Sequence, residues 1–576
     1  MLNQIRNRWI RSHREALIVL LLTALAFAVR VHKIDFYSLS EDESAKWDAI
    51  QEYRHGHFAG VNSEHPMLPK MLAWGSLAVG EGWNRVANLH HWSSLQPEGW
   101  LRLPNVAFGA LTTGVLYLLC RRLMGTPGAF TAAYFWAISP LPIALNRLMK
   151  EETPLTFFTL LAVYFYCIAQ QTDEYNRARR WYDLSAVGFG LALASQYILH
   201  LFGLNGLAWL LADKMGLTAE RVHFSYRRFY TVMFISFILA NPVILSPSNV
   251  QAIMNWLHHG GVRHSGYDFG GTLYLNFPSR FLAGVPWFYY AFLLLVKTPI
   301  PILAAIVLGC VLLVRNRRSL AFCYFASLGM VQLAGLSISG AKWIRYSLPL
   351  LPFLYLAGGY AVQQIWNLAQ KRGVSLRVIA VPAVILLSVP LIGLESWAPY
   401  YSLYINPIGG GRQKITRYFA QDEVSEFDTR EVAHLVCRFA PKDTTVATAR
   451  PMSMAYYVRS CGRADLIVIA LYDPDYEPKD GDLIVLEPSR RFLETQRYFD
   501  LLRDSGMLKS EVRVGPVLAS TIYLFDSSEE GTRQRRERST LAQLHRAPHG
   551  FDTHEPESAS FMGTFSPPGI PRRSPQ

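Results

Sequence analysis

Ala16-Leu-Ile-Val-Leu-Leu-Leu-Thr-Ala-Leu-Ala-Phe-Ala-Val-Arg-Val31, headed by the basic stretch Met1 to Arg14 and followed by Ser40-Glu-Asp-Glu-Ser44, decides how this chain is read. Basic residues ahead of an apolar run stay cytoplasmic, so the adjacent carboxylates Asp42 and Glu43 emerge on the extracytoplasmic side. An ionised carboxylate there can take a proton from an acceptor hydroxyl or amine. For two carboxylates alone, a solvated acidic turn is the competing reading. No small-residue cleavage site follows Val31 and further apolar runs come later, so the run is read as an uncleaved anchor rather than a signal peptide.

Working outward, the 576 residues are 51% hydrophobic and 17% charged, with mean hydropathy +0.14. That composition points to an α-helical polytopic membrane protein of the inner membrane. Apolar spans are expected near 15–32, 103–122, 128–145, 153–170, 183–198, 199–213, 229–247, 298–314, 319–339, 346–366 and 377–394. Arg121-Arg122, Arg177 to Arg180, Arg221 to Arg228, Arg315 to Arg318 and Lys371 to Arg377 then all fall on the cytoplasmic side. The net charge of +13 is thereby read as topology signalling and lipid contact, not nucleic-acid binding.

Eleven spans place residues 1–394 in a transmembrane domain with a cytoplasmic N-terminus and two long outer loops, 33–102 and 248–297. Pro66 to Trp83 in the first loop reads as a helix lying in the interface. In the second, Trp287-Phe-Tyr-Tyr290 reads as an interfacial aromatic belt. Residues 395–526 read as a soluble extracytoplasmic α/β domain. Helices are expected over 424–438 and 490–505, and strands over 444–448, 466–471, 482–486 and 521–525. From 527 the composition predicts a basic disordered tail. Cys437 and Cys461 stand where a disulfide can form if that domain is outside.

The outer surface also collects Arg102, Arg147, Lys150, Glu151, Glu152, Lys297 and Arg345 with Tyr346. Cations gathered there neutralise a phosphate, which arginine does bidentately. Helix capping is the competing reading of Glu152, and headgroup anchoring that of each single cation. His65, ahead of Pro66, is read either as shaping the first-loop site or as a helix-entry residue. His258 and His259 read as a polar interfacial patch; adjacent histidines seldom meet one ion. A divalent metal is left open.

In sequence order these pieces resemble the GT-C membrane glycosyltransferases of the dolichyl-phosphate-mannose protein mannosyltransferase superfamily, with bacterial relatives that include lipid A aminoarabinose transferases. The resemblance covers roughly residues 15 to 415. It rests on Asp42-Glu43, His65-Pro66, Arg102-Leu-Pro-Asn-Val-Ala-Phe-Gly109, Ser139-Pro140 through Arg147 to Glu152-Thr-Pro-Leu, Lys297-Thr-Pro-Ile-Pro301, Arg345-Tyr-Ser-Leu-Pro-Leu-Leu-Pro352, and Tyr404-Ile-Asn406-Pro-Ile-Gly409-Gly-Gly411. It implies Asp42 as catalytic base, Glu43 as its partner, Arg102 as a donor-phosphate or loop-organising residue, and Glu152 as the second carboxylate. The family usually has Asp where Glu152 stands, a departure that bears on the acceptor. Its members are inverting enzymes that use lipid-monophosphate sugars.

The expected activity is transfer of a sugar from a polyprenyl-phosphate donor to a protein, lipid or glycan acceptor at the extracytoplasmic face. The alternatives are a flippase for the same lipids and a ligase or polymerase using diphosphate donors. A flippase should carry mid-span charges and inverted repeats; here the charges cluster at outer ends.

Overall fold

A computed structural model describes residues 2–218, 224–258, 265–277, 281–424, 426–503 and 505–528. The expected tail lies from residue 529 on outside the described residues. The chain is mostly helical.

Helix α1 (Leu2–Val31) leads into α2 (Glu41–Arg54) and α3 (Met67–His90), which build the first outer loop. Next come α4 (Pro97–Leu123), α5 (Thr126–Ile138), α6 (Pro140–Asn146), α7 (Glu152–Gln170), α8 (Tyr175–Ser195), α9 (His200–Lys214) and α10 (Tyr226–Ala240). The second outer loop holds α11 (Pro247–His258), a hairpin of β1 (Tyr267–Phe269) and β2 (Thr272–Tyr274), and α12 (Tyr289–Lys297). Helices α13 (Ile300–Arg315) and α14 (Leu320–Tyr324) follow; α14 continues through a π turn into α15 (Gln332–Ile338). A 3₁₀ turn over Ile344–Leu350, α16 (Leu351–Lys371) and α17 (Leu376–Glu395) complete this part.

Each expected apolar stretch is helical. Among the described residues, three helices are by themselves long and apolar enough to cross a membrane: Pro97–Leu123, Glu152–Gln170 and Leu320–Ile338. The pair α5 and α6, bent by 57°, makes a fourth if it is one span. The count of eleven is therefore supported as eleven helical stretches, not as eleven spans. Helix α13 is 16 residues long, short of the roughly 20 a full crossing takes. Packing is close where side chains are small: a Cβ on Gly309 would lie 1.8 Å from the carbonyl oxygen of Ala357, so glycine lets α13 reach α16.

The bend between α5 and α6 has a clear cause. Pro140 has no N–H, so the Trp136 carbonyl loses its helical donor. Arg30, fully buried on α1, supplies the replacement: Nη2 donates to Trp136 O at 2.9 Å and Nη1 to Ala137 O at 3.1 Å. Its Nε donates to Asn146 Oδ1 at 2.9 Å. One guanidinium thereby fixes the segment that runs on to Arg147 and Glu152.

After α17 come α18 (Ala420–Val424), α19 (Thr429–Phe439), β3 (Thr445–Thr448), α20 (Pro451–Ser460), β4 (Ile467–Ala470), β5 (Leu483–Leu486), α21 (Gln496–Leu502), β6 (Leu508–Val514) and β7 (Val517–Leu524). The strands form one sheet in the order β4-β3-β5-β7-β6. β3 runs parallel to β4 and β5, while β7 is antiparallel to β5 and β6. The four expected strands are present; β6 was not expected, because polar Lys509, Ser510, Glu511 and Arg513 mask its alternation. Cys437 and Cys461 are unbonded here and lie side by side.

This sheet domain shares a core with the first outer loop. Leu39, Ile50, Ala73, Leu77 and Leu101 pack with Val432, Ala433, Val436 and Tyr457. Polar contacts fix the seam: Tyr457 Oη accepts from Leu39 N–H at 2.7 Å and donates to Glu98 at 2.8 Å, and Arg430 pairs with Glu98 at 2.7 Å.

Candidate functional site

Three carboxylates open α2, and the fold gives each a different task. Glu41 reaches the sheet domain, where it accepts from the backbone N–H groups of Met452 and Ser453 at 2.9 Å each, capping the start of α20. Glu43 turns inward and is fully buried. It accepts from Ser40 N–H at 2.9 Å, from Met149 N–H at 2.8 Å, and from Nε and Nη2 of Arg102 at 2.8 Å each. Asp42 alone keeps a carboxylate in the open, with 39% of its side chain exposed, and its partner is Lys150 Nζ. Consecutive helical residues point about 100° apart, which is why three neighbours in sequence reach three different surroundings.

Arg102 explains the stiffness of this corner. A guanidinium has five N–H donors. Two go to Glu43, two from Nη1 to the carbonyls of Ile34 and Tyr37, and one from Nη2 to Ser38 O at 2.6 Å. With every donor used and no exposure, Arg102 organises the loop and has nothing left for a phosphate. Glu43 is likewise its anchor, not a second reacting carboxylate. The same ion pair fits the loop-organising reading of Arg102 and leaves neither residue free for phosphate or proton transfer.

Lys297 is corrected too. It is 2% exposed, pairs with Glu423, donates to Ser402 O at 2.9 Å and sits over the Phe419 ring. These contacts tie α12 to the segment after α17 and take its charge out of the site. Arg147 is 2% exposed between the rings of Tyr37 and Tyr401, donating through Nη2 to Lys33 O at 2.7 Å. Its Nε and Nη1 have no hydrogen-bond partner; Arg147 and Asp422 both line a cavity of about 20 Å³, the size of one water. A phosphate does not fit there as it stands.

Lys150, Glu152, Arg345 and Tyr346 do come together beside Asp42. Glu152 opens α7, and its Oε1 meets Arg345 Nε at 3.2 Å. Its buried Oε2 has no hydrogen-bond partner. The Arg345 guanidinium lies 4.8 Å from the Trp343 ring centre and 5.4 Å from that of Tyr346, a sandwich that fixes its plane. Burial works against the Arg345 charge, yet Tyr346, Glu152 and Asp422 hold its pKa above the ordinary value.

His65 joins through Glu151, which it meets at 3.3 Å; Lys46 meets the same carboxylate at 2.9 Å. Burial opposes the Glu151 charge, but His65, Lys46 and Lys150 hold its carboxyl well below the usual range. His258 closes α11 and His259 lies outside the described residues. Among the described residues no group of three or more His, Cys, Asp or Glu is placed to hold a metal ion.

Lys150 is the pH-sensitive member. Burial, then Arg345, push its ammonium down to about 7, against the pull of Glu151, Glu152 and Glu426. A lysine whose folded pKa is depressed loses its proton earlier in the folded chain than in the unfolded one. Stability therefore rises as pH climbs from about 7 toward the ordinary lysine value of about 10.4. Thermal unfolding across that window should show the rise in the wild type and a flatter profile in Lys150→Met.

Sequence reading missed Asp422. It accepts from Tyr267 Oη at 2.6 Å and from Ile344 N–H at 3.2 Å, and Tyr267 is in turn bonded to Tyr289 at 2.7 Å. Burial raises its pKa, with Tyr267 and Arg345 opposing. It thus links the hairpin of the second loop to the turn that carries Arg345. The available signal was Asp422-Glu423 itself, an adjacent acidic pair shortly after an apolar run, as in Asp42-Glu43.

Residues 96–245 match the family described as dolichyl-phosphate-mannose-protein mannosyltransferase. No curated protein matches the sequence. Among solved structures, ArnT from Cupriavidus metallidurans bound to undecaprenyl phosphate aligns with a TM-score of 0.50 at 14% identity, over 88% of this chain and 98% of that one. The apo state of the same protein aligns with a TM-score of 0.50 at 13% identity, over 88% and 97%. The archaeal oligosaccharyltransferase AglB from Archaeoglobus fulgidus, in complex with an inhibitory peptide and a dolichol-phosphate, gives 0.46 at 11% identity, over 80% and 65%.

Proposed function

We propose that this chain, which carries the GT-C fold and resembles the dolichyl-phosphate-mannose-protein mannosyltransferase superfamily, moves one sugar from a polyprenyl-phosphate donor to an acceptor at the outer membrane surface. One observation carries the reading: of the three carboxylates that open α2, only Asp42 is left uncommitted to structure, and it faces Lys150 beside Glu152 and Arg345. A solved structure of the same fold holds undecaprenyl phosphate, which supports a lipid-phosphate donor here.

The chemistry follows from the charges. Lys150 pairs with Asp42. A donor phosphate competes for that ammonium, and Arg345, already aligned by Trp343 and Tyr346, offers further N–H donors. Once Lys150 turns to phosphate, the Asp42 carboxylate is free to accept the proton of the acceptor nucleophile as it attacks the anomeric carbon. The C–O bond to phosphate breaks on the opposite side, inverting that carbon, and the two cations take up the charge on the leaving phosphate. Glu152 keeps Arg345 in register through their ion pair.

The test is transfer of radiolabel from a panel of polyprenyl-phosphate sugars to membrane extract by purified protein in lipid. Movement of label into a new product is expected; no transfer from any donor by folded protein would overturn the reading. Arg345→Gln removes one charge-assisted contact worth about 1.5–3 kcal/mol. The expected result is a donor KM raised about 10- to 100-fold, measured in the same assay.

A further inference from the structure

The end of the bundle opposite Asp42 has its own cleft, where α8 and α10 begin. α7 runs 19 residues from Glu152 to Gln170, about 28 Å at 1.5 Å per residue. Tyr175 therefore starts α8 about one hydrocarbon thickness from the candidate site. The cleft holds about 230 Å³, lined on one side by Arg179, Tyr182 and Asp183 and on the other by Phe224 and Arg228.

We propose that this cleft binds the headgroup of an anionic phospholipid. Arg228 is held by Asp183, Nε to Oδ1 at 2.7 Å and Nη2 to Oδ2 at 2.8 Å, so its orientation is fixed while its charge is balanced. Arg179 is exposed, and among the described residues no hydrogen bond or ion pair holds it; it brings the uncompensated positive charge. Both helices start here without a side-chain cap at Glu174 or Ser225. Their first-turn N–H groups and the positive ends of two helix dipoles add to the attraction for an anion. Arg177, Arg180 and Arg227 are also exposed near the starts of these two helices.

What favours a lipid over a free anion is the surface that continues from the cleft. Phe224 packs edge-on against Tyr182 at 5.0 Å, giving the cleft an apolar floor. Along the outside of α10, Tyr230, Phe234, Ile235 and Leu239 are 40%, 44%, 52% and 76% exposed. Spaced four, one and four residues apart, they form one apolar face leading away from the arginines. A headgroup phosphate on Arg179 and acyl chains along α10 match this layout of a basic cleft continued by an apolar helix face. The proposal rests on the chain crossing a bilayer and not on sugar transfer.

The experiment is native mass spectrometry of the full chain, exchanged into discs of phosphatidylcholine alone or with phosphatidylglycerol added. Wild type should retain phosphatidylglycerol in preference to phosphatidylcholine. Arg179→Gln, which breaks no contact among the described residues, should weaken retention about five-fold, the worth of one basic group at an anionic surface; Arg179→Glu should weaken it further. Equal retention in wild type and both variants overturns the site. Displacement of the lipid by inorganic phosphate also overturns it, since the cleft would then recognise a free anion.

Discussion

Asp42→Asn is expected to cut sugar transfer by about 10²- to 10⁴-fold, the usual contribution of a positioned general base, while leaving the fold unchanged. The amide is isosteric and still accepts from Lys150, and the 39% exposed side chain carries no core packing. The comparison that decides it is single-turnover transfer with saturating donor, wild type against variant, with thermal unfolding run alongside. A near-normal rate would remove Asp42 from the mechanism. A lost rate with a lowered unfolding temperature would mean that the carboxylate is structural, like its neighbours Glu41 and Glu43.

Arg102→Leu carries the largest expected effect on stability. It strands the Glu43 carboxylate, which is fully buried, and leaves the carbonyls of Ile34, Tyr37 and Ser38 without their donor. Breaking a buried pair from one side costs about 3–5 kcal/mol, a large part of the 5–15 kcal/mol that typically holds a domain together. Loss of monodisperse protein, or a clear fall in unfolding temperature, is expected in detergent. Lysine at the same position should rescue little, because three donors cannot replace five fixed in a plane. A variant of normal stability with a raised donor KM would instead return Arg102 to phosphate binding.

These expectations also mark what was legible in the chain. Apolar runs located the helical stretches of the bundle but not α2, α11 or α20, because burial in a bundle or a membrane writes itself as consecutive apolar residues. Four strands of the sheet were legible for the same reason. Which cations serve the site was not. Arg102, Lys297 and Arg345 look alike as single basic residues near a surface, and only the fold shows that Glu43 and Glu423 have taken the first two. Partners so far apart in sequence leave no local spacing to read. Glu41 and Asp422 were passed over although each adjoins a carboxylate that was noticed or noticeable. The chemistry of an acidic run depends on which helical direction each residue takes, and that direction is settled by packing against distant segments.

Arg30 has a consequence for how the protein is made. The carbonyl oxygen that receives its Nη2 lies 106 residues further along the chain, an interval of about 5–20 s at ordinary rates of synthesis. Throughout that interval the guanidinium has only the Ala26 carbonyl of its own helix as a partner, because Trp136, Ala137 and Asn146 have not yet been made. A helix that enters a bilayer in that state keeps such a charge at the headgroup level by snorkelling, so its depth stays adjustable. Arrival of the bent α5–α6 pair draws the arginine inward and ends that freedom. The loop that bears Asp42 follows directly behind, so it acquires its final position only when a later part of the chain has been made.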